Sequence, residues 1–243
     1  MNLFEHLKQV KLVTLTLFGF DISITNGVLV AFIAAALVLI FFYFAGRRAQ
    51  LKPSLLQTTA EFLVQFINDE MLAPLGKDAG RWLPFITAIF CYVLFCNLLG
   101  LIPGVVPPTS NVNFTGTLAV IVFFTVQITG VVKKGPLGYL GSLIPPGIPV
   151  FLAPFIFPIE LVGQIARPFS LAVRLFANMF AGHAIILTLI GLIFIFRSYL
   201  VIPFPVVGNV AILAFELFVS FIQAFIFAFL SASYIIGAVS AEH

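Results

Sequence analysis

Charged side chains are scarce: 12 Lys and Arg with 9 Asp and Glu amount to 9% of 243 residues, against 61% hydrophobic residues. A soluble domain of that length has too little interior to hide such a surface, so a globular aqueous protein is excluded. The net charge of +3 is consistent with membrane topology and does not indicate nucleic-acid binding. No phosphate-cradling glycine loop occurs, so nucleotide chemistry does not reside in this chain. Long polar linkers are also missing, and residues 1–243 read as a single membrane domain with no extramembrane domain of useful size. Cysteine contributes only Cys91 and Cys96. Their spacing of five puts them on different faces of a helix, which favours neither a mutual disulfide nor a metal site. The composition calls for no metal or cofactor.

What the sequence does hold is long apolar runs, with Phe alone contributing 30 residues. Uncharged stretches long enough to cross about 30 Å of hydrocarbon fall at Val28–Phe44, Leu83–Ile102, Thr115–Val132, Phe169–Phe196 and Val206–Val239. The first is too long for a signal-peptide core and runs into Arg47 and Arg48 without a small-residue cleavage pattern, so it reads as a retained span. The last two exceed a perpendicular crossing and predict tilted helices or extension beyond the hydrocarbon. Near residues 54–72, Leu55, Phe62, Leu63, Phe66 and Ile67 recur at helical spacing among Gln57, Glu61, Gln65, Asn68 and Asp69, the pattern of an interfacial amphipathic helix. The fold class is an all-α polytopic membrane protein with about five transmembrane helices and one interfacial helix. Residues 1–27 form an outer N-terminal segment, 28–134 the first three spans with the interfacial helix, and 150–243 a hairpin of two long helices.

Arg47, Arg48, Lys52, Lys77 and Arg81 flank the first two spans on one side, and Lys133 and Lys134 follow the third. The positive-inside rule places those loops in the cytoplasm or its equivalent, with the N-terminus outside and the tail Ala241, Glu242, His243 inside; Lys8 and Lys11 argue weakly the other way. Gly and Pro crowd Gly135–Pro149, and Pro154, Pro158 and Pro168 continue the interruptions, so helix is expected to start, bend and restart there. No internal repeat is apparent, and an odd number of spans does not divide into the paired halves common in secondary transporters.

The chemistry is concentrated in the hairpin. Arg174 is a cation that a membrane cannot neutralise, so it must face protein, water or a counter-charge, and it marks a functional site. At 100° per residue Glu160, Gly163, Arg167, Ser170, Arg174, Asn178 and Ala181 share one stripe. Glu216, Ser220, Gln223, Ser231 and Tyr234 make a comparable stripe on the last span. Small and polar residues also glue helices in lipid, a sufficient account of Ser170, Ser220 and Ser231. His183 lies about 13.5 Å outward of Arg174, and Glu216 about 10.5 Å outward of Gln223. If Gln223 stands level with Arg174, His183 and Glu216 also stand roughly level. Glu160 lies about 21 Å toward the cytoplasm. Two aqueous routes ending near one fixed charge are implied, and the chain has no spare acid at the depth of Arg174, so a partner carrying a carboxylate is implied too. Arg167 reads as snorkelling to the inner interface and Arg197 as an interfacial anchor.

Ala166–His183, ARPFSLAVRLFANMFAGH, resembles the signature of subunit a of the F-type ATP synthase membrane sector. Glu160 ahead of it, Ile222–Phe227 (IQAFIF), Phe95–Pro103 (FCNLLGLIP) and the final AEH follow in the order of that family. The resemblance covers almost the whole chain. It implies a non-nucleotide-binding subunit in which Arg174 faces the ring of subunit c, blocks direct proton leak and couples proton flow to ring rotation and ATP synthesis. By position, Asn178 lines the arginine's neighbourhood, Gln223 supports it, His183 and Glu216 belong to the outer route and Glu160 to the inner one. Ser170, Asn97, Asn113 and Ser220 are further lining candidates. The implied partners are the subunit c ring, the peripheral-stalk subunit b, the remaining synthase subunits and lipid, in a bacterial inner membrane or, alternatively, a mitochondrial one. His183 and Glu216 exchange the acid and the histidine of many bacterial relatives, and Asn111 stands where relatives often have Asp. A sodium-translocating version and, less well supported, a secondary transporter remain as alternatives.

Overall fold

The computed structural model describes residues 11–13, 16–17, 20–21, 23–47, 52–102, 104–142, 150–196 and 202–239. Arg48, Lys8, Arg197 and the tail 241–243 lie outside the described residues. Ahead of the first helix the backbone forms two short antiparallel pairs, β1 (Lys11–Val13) with β4 (Ile24–Thr25) and β2 (Thr16–Leu17) with β3 (Phe20–Asp21). The remainder is helical: α1 (Asn26–Gly46), α2 (Leu55–Met71), α3 (Ala79–Gly100), α4 (Val112–Lys134), α5 (Pro136–Gly141), α6 (Ala153–Phe196) and α7 (Pro203–Val239). Five helices among the described residues are long and apolar enough to cross a membrane. The architecture is an all-α polytopic membrane protein, preceded by the strand pairs.

Local chemistry sets several boundaries. The side chains of Thr25, Ser54 and Asn111 accept from the backbone N–H groups of Val28, Gln57 and Asn113, satisfying first-turn donors of α1, α2 and α4. Gly135 ends α4 at φ 74°, where a Cβ is penalised, and the chain turns directly into α5. The amphipathic α2 buries Ile67 and Met71 and leaves Leu55 and Phe62 outward, 89% and 70% exposed, as an interfacial helix requires.

One expectation holds in part: helix starts at Pro136 and again at Ala153, but it does not stop at the later prolines, and α6 continues through Pro158 and Pro168. Each proline removes one donor, but abandoning helix in hydrocarbon would strand several backbone groups, so continuity is the less costly solution. The 44 residues of α6 extend to about 66 Å if straight, over twice the hydrocarbon thickness.

The core lies where α7 meets α3, α6 and α4. Ala224, Ala228 and Ala232 are fully buried at four-residue spacing, a row of small side chains that lets α3 approach with Ile86, Phe90 and Val93. Leu171 and Leu175 bring α6 into the same cluster. This packing fixes the polar stripe of α7 against both α3 and α6.

Candidate functional site around Arg174

Arg174 falls at the midpoint of α6, 21 residues from Ala153 and 22 from Phe196. It is exposed on an apolar face with Phe169, Val173 and Phe180, flanked by exposed Ser170, Ala177 and Ala181. No described residue forms a hydrogen bond or ion pair with it. Leu171 and Leu175, about 60° and 100° round the helix from Arg174, are buried, so core packing fixes the direction in which the guanidinium projects.

Asn178 Nδ2 donates to Gln223 Oε1 at 2.8 Å. Gln223 therefore stands level with Asn178, one turn outward of Arg174, and not beside the arginine as spacing alone suggested. The antiparallel register continues outward, where His183 Nδ1 lies 3.8 Å from Glu216 Oε1. His183 is tightly held: Nδ1 is 3.0 Å from the carbonyl of Met179 and Nε2 is 2.9 Å from that of Gly100. Glu216 is 5% exposed, and neither carboxylate oxygen has a hydrogen-bond partner. Gly182 creates its space, since a Cβ there would overlap Oε1. A cavity of about 420 Å³, bounded by Gly104, Val106, Asn209 and Leu213, reaches His183 from the end of the hairpin where α6 gives way to α7.

In the N-terminal half of α6, Arg167 Nη2 donates to Glu160 Oε1 at 2.9 Å, and Arg167 Cζ lies 5.8 Å from the centre of the Tyr234 ring. The pair borders a cavity of about 430 Å³ that extends to Pro168 and Leu171, within a turn of Arg174. Gln164 lies at its wall, accepting from Gln127 at 2.8 Å and from the Tyr139 hydroxyl at 3.3 Å. Burial pushes the Tyr139 phenol up, which keeps it a neutral donor. Arg167 thus has defined partners where snorkelling alone was expected; its seven-residue spacing from Glu160 was the available signal.

Of the further candidates, Ser170 lies exposed beside Arg174. Asn97 is fully buried, accepting from Thr109 Oγ1 at 2.8 Å and donating to the Ser220 carbonyl at 3.4 Å, which ties the outer loop to α3 and α7. Asn113 sits at the start of α4 with its amide bonded to Asn111, and forms part of that cap. Sequence reasoning passed over Gly182, Gln127, Gln164 and Thr109, whose partners lie on other elements, and Asn209, whose buried Oδ1 has none.

The sequence profile described as ATP synthase A chain matches residues 28–236. The chain belongs to the ATP synthase A chain family. It is similar to ATP synthase subunit a 2 of Prosthecochloris aestuarii, 41% identical over 239 residues covering 96% of this chain and 74% of the relative. ATP synthase subunit a of Chloroherpeton thalassium is 38% identical over 245 residues, covering 98% and 73%. An ATP synthase A chain is a membrane subunit of a larger complex.

Proposed function

We propose that this chain carries protons between the two sides of the membrane and a ring of subunit c carboxylates, with Arg174 as the barrier between an outer and an inner route. The observation that carries the reading is the exposed guanidinium at the midpoint of α6, without a counter-charge among the described residues. A permanent cation in lipid is costly, and a passing carboxylate relieves that cost. A protonated ring carboxyl is neutral and enters lipid cheaply, whereas the ionised form is stable only beside the arginine or water. Ring motion past Arg174 therefore requires release of a proton on one side and uptake on the other.

The outer route uses the cavity that ends at His183, whose ring lies 3.8 Å from Glu216; the inner route uses the cavity bordered by Glu160. Asn178 and Gln223, bonded to each other, line the approach to the arginine, with Ser170 a lining residue. Asn97, Asn113 and Ser220 line the outer side. Proton flow turns the ring, and the torque drives ATP synthesis in a soluble sector, so the chain itself is not a catalyst. The partners are the subunit c ring, peripheral-stalk subunit b and the remaining synthase subunits. The setting is a bacterial inner membrane, with the N-terminus outside, the C-terminus cytoplasmic, and 150–243 as the translocating hairpin.

The test is gradient-driven ATP synthesis by the reconstituted complex with Arg174→Ala, recording passive proton leak alongside. Loss of synthesis on the order of 100-fold in an assembled complex, with increased leak, supports the barrier. Normal coupled synthesis would sink it. Sodium as the coupling ion is separated by the same assay with a sodium gradient alone.

A further inference from the structure

The two cavities stop at different distances from Arg174. The inner one reaches Leu171, three residues away, whereas the outer one ends at His183, nine residues away or about 13.5 Å along the helix. Something must carry a proton across that interval.

Six buried side-chain polar atoms among the described residues have no hydrogen-bond partner, and five of them lie on α7: Asn209 Oδ1, both oxygens of Glu216, Ser220 Oγ and Gln223 Nε2. At 100° per residue these four positions fall within about 60° of one another, a single line along the helix. Glu216, Ser220 and Gln223 are 5%, 0% and 1% exposed, so bulk solvent does not satisfy them. Buried polar groups are costly to leave unpaired, and a concentration on one stripe is not what random packing defects produce. Along the axis Glu216 and Ser220 are about 6 Å apart and Ser220 and Gln223 about 4.5 Å. One bridging water spans about 5.5 Å between two oxygens, so single waters match these gaps.

We infer that a file of ordered waters runs along this stripe, with the Ser220 hydroxyl as the relay between Glu216 and Gln223. The inference rests on the outer route proposed above and supplies its last leg. A serine hydroxyl accepts one hydrogen bond while donating another, as a relay requires. Glu216 gives its proton to the first water, which passes one of its own to Ser220 Oγ. The Ser220 hydrogen moves to the second water, and that water protonates the ring carboxylate. One O–H bond breaks at Glu216, one forms on the ring, and Glu216 is refilled from the outer cavity. Gln223 Nε2 only donates, so it holds the last water by its oxygen and turns the water's hydrogens away from itself. Its Oε1 accepts from Asn178 Nδ2, which leaves Nε2 toward the file.

The test uses the reconstituted complex and gradient-driven ATP synthesis, with Ser220→Ala, Ser220→Thr and Glu216→Gln. Ser220→Ala should slow synthesis about tenfold with assembly intact, and Ser220→Thr, which keeps the hydroxyl, should restore most of the rate. Because Ser220 Oγ bonds no protein group, a packing role predicts the reverse: Ala tolerated, the bulkier Thr impaired. If Ser220→Ala runs at the natural rate while Glu216→Gln stops synthesis, the file is overturned and the outer route stands. If both run normally, the outer route itself fails. Ser220→Cys gives an independent reading, since aqueous silver ion should block it more strongly than the natural chain with its buried Cys91 and Cys96. Equal sensitivity to silver overturns the file.

Discussion

The outer and inner halves of α6 hold an acid in opposite ways. Outside, Glu216 is enclosed, its neighbour His183 is clamped between two backbone carbonyls, and the space for the carboxylate depends on a missing Cβ at Gly182. Inside, Glu160 is half-exposed, paired with Arg167, and bordered by a roomy cavity with neutral Gln and Tyr groups at its wall. The two cavities are alike in size, about 420 and 430 Å³, but the space between Gly182 and the Glu216 carboxylate has no room for a Cβ, whereas a Cβ at Gly163 meets nothing within 4 Å. A group that must hand protons to a fixed place needs geometry, whereas a group that releases them toward water needs only access.

Two glycines of the same helix give the sharpest test of that contrast. Gly182→Ala places a methyl on the Glu216 carboxylate, and the only escape is to move Glu216 off its line with Ser220. ATP synthesis should fall by more than about tenfold, since misplacing a positioned group by an ångström has costs of that size. Gly163→Ala meets nothing within 4 Å, so synthesis by that variant should stay near the natural rate. Equal effects at the two sites would remove the distinction between a tight outer and an open inner half.

The acids themselves should rank in the same order. Glu216→Gln removes a carboxylate whose space is built for it and should nearly stop synthesis. Glu160→Gln leaves Arg167 free to face the cavity, where water and the Tyr234 ring still accommodate it, so a loss of only a few-fold is expected. Measuring both rates across external proton concentration separates them: the outer variant should stay slow however high that concentration, the inner one should not. A Glu160 variant slower than the Glu216 variant would invert the ranking of the two acids.

The spans, the interfacial helix and the polar stripes of the hairpin were legible because hydropathy and a 100° repeat are properties of one helix at a time. The common face of Glu160, Arg167, Ser170 and Asn178 needed nothing more, although the Glu160–Arg167 ion pair on that face went unread. Pairings between helices were legible only through register. The antiparallel count brought His183 to Glu216, but Gln223 came out one turn away from Arg174, because the count had no anchor until the Asn178 bond supplied one. The continuity of α6 through Pro158 and Pro168 was missed for a different reason: proline rules describe the local backbone, and in hydrocarbon the penalty for leaving helix outweighs them. Gly182 could not be found at all, since what makes it necessary is an oxygen atom contributed by α7.

The smallest expected effect lies at the ends of the comparison, in the contacts that hold each cavity's wall. Thr109 Oγ1 donates to Asn97 Oδ1 where both groups are fully buried, so Thr109→Val orphans an acceptor and should cost about 1–3 kcal/mol of thermal stability in the assembled complex. Lys133 and Asp78 tie the C-terminal end of α4 to the N-terminal end of α3 at 2.7 Å, but both side chains are about half exposed. Solvent and salt screen such a pair, so Asp78→Asn should leave the melting temperature unchanged. If Asp78→Asn destabilised the complex more than Thr109→Val, the cytoplasmic end would be the rigid one, and the contrast between a built outer route and a permissive inner route would fail.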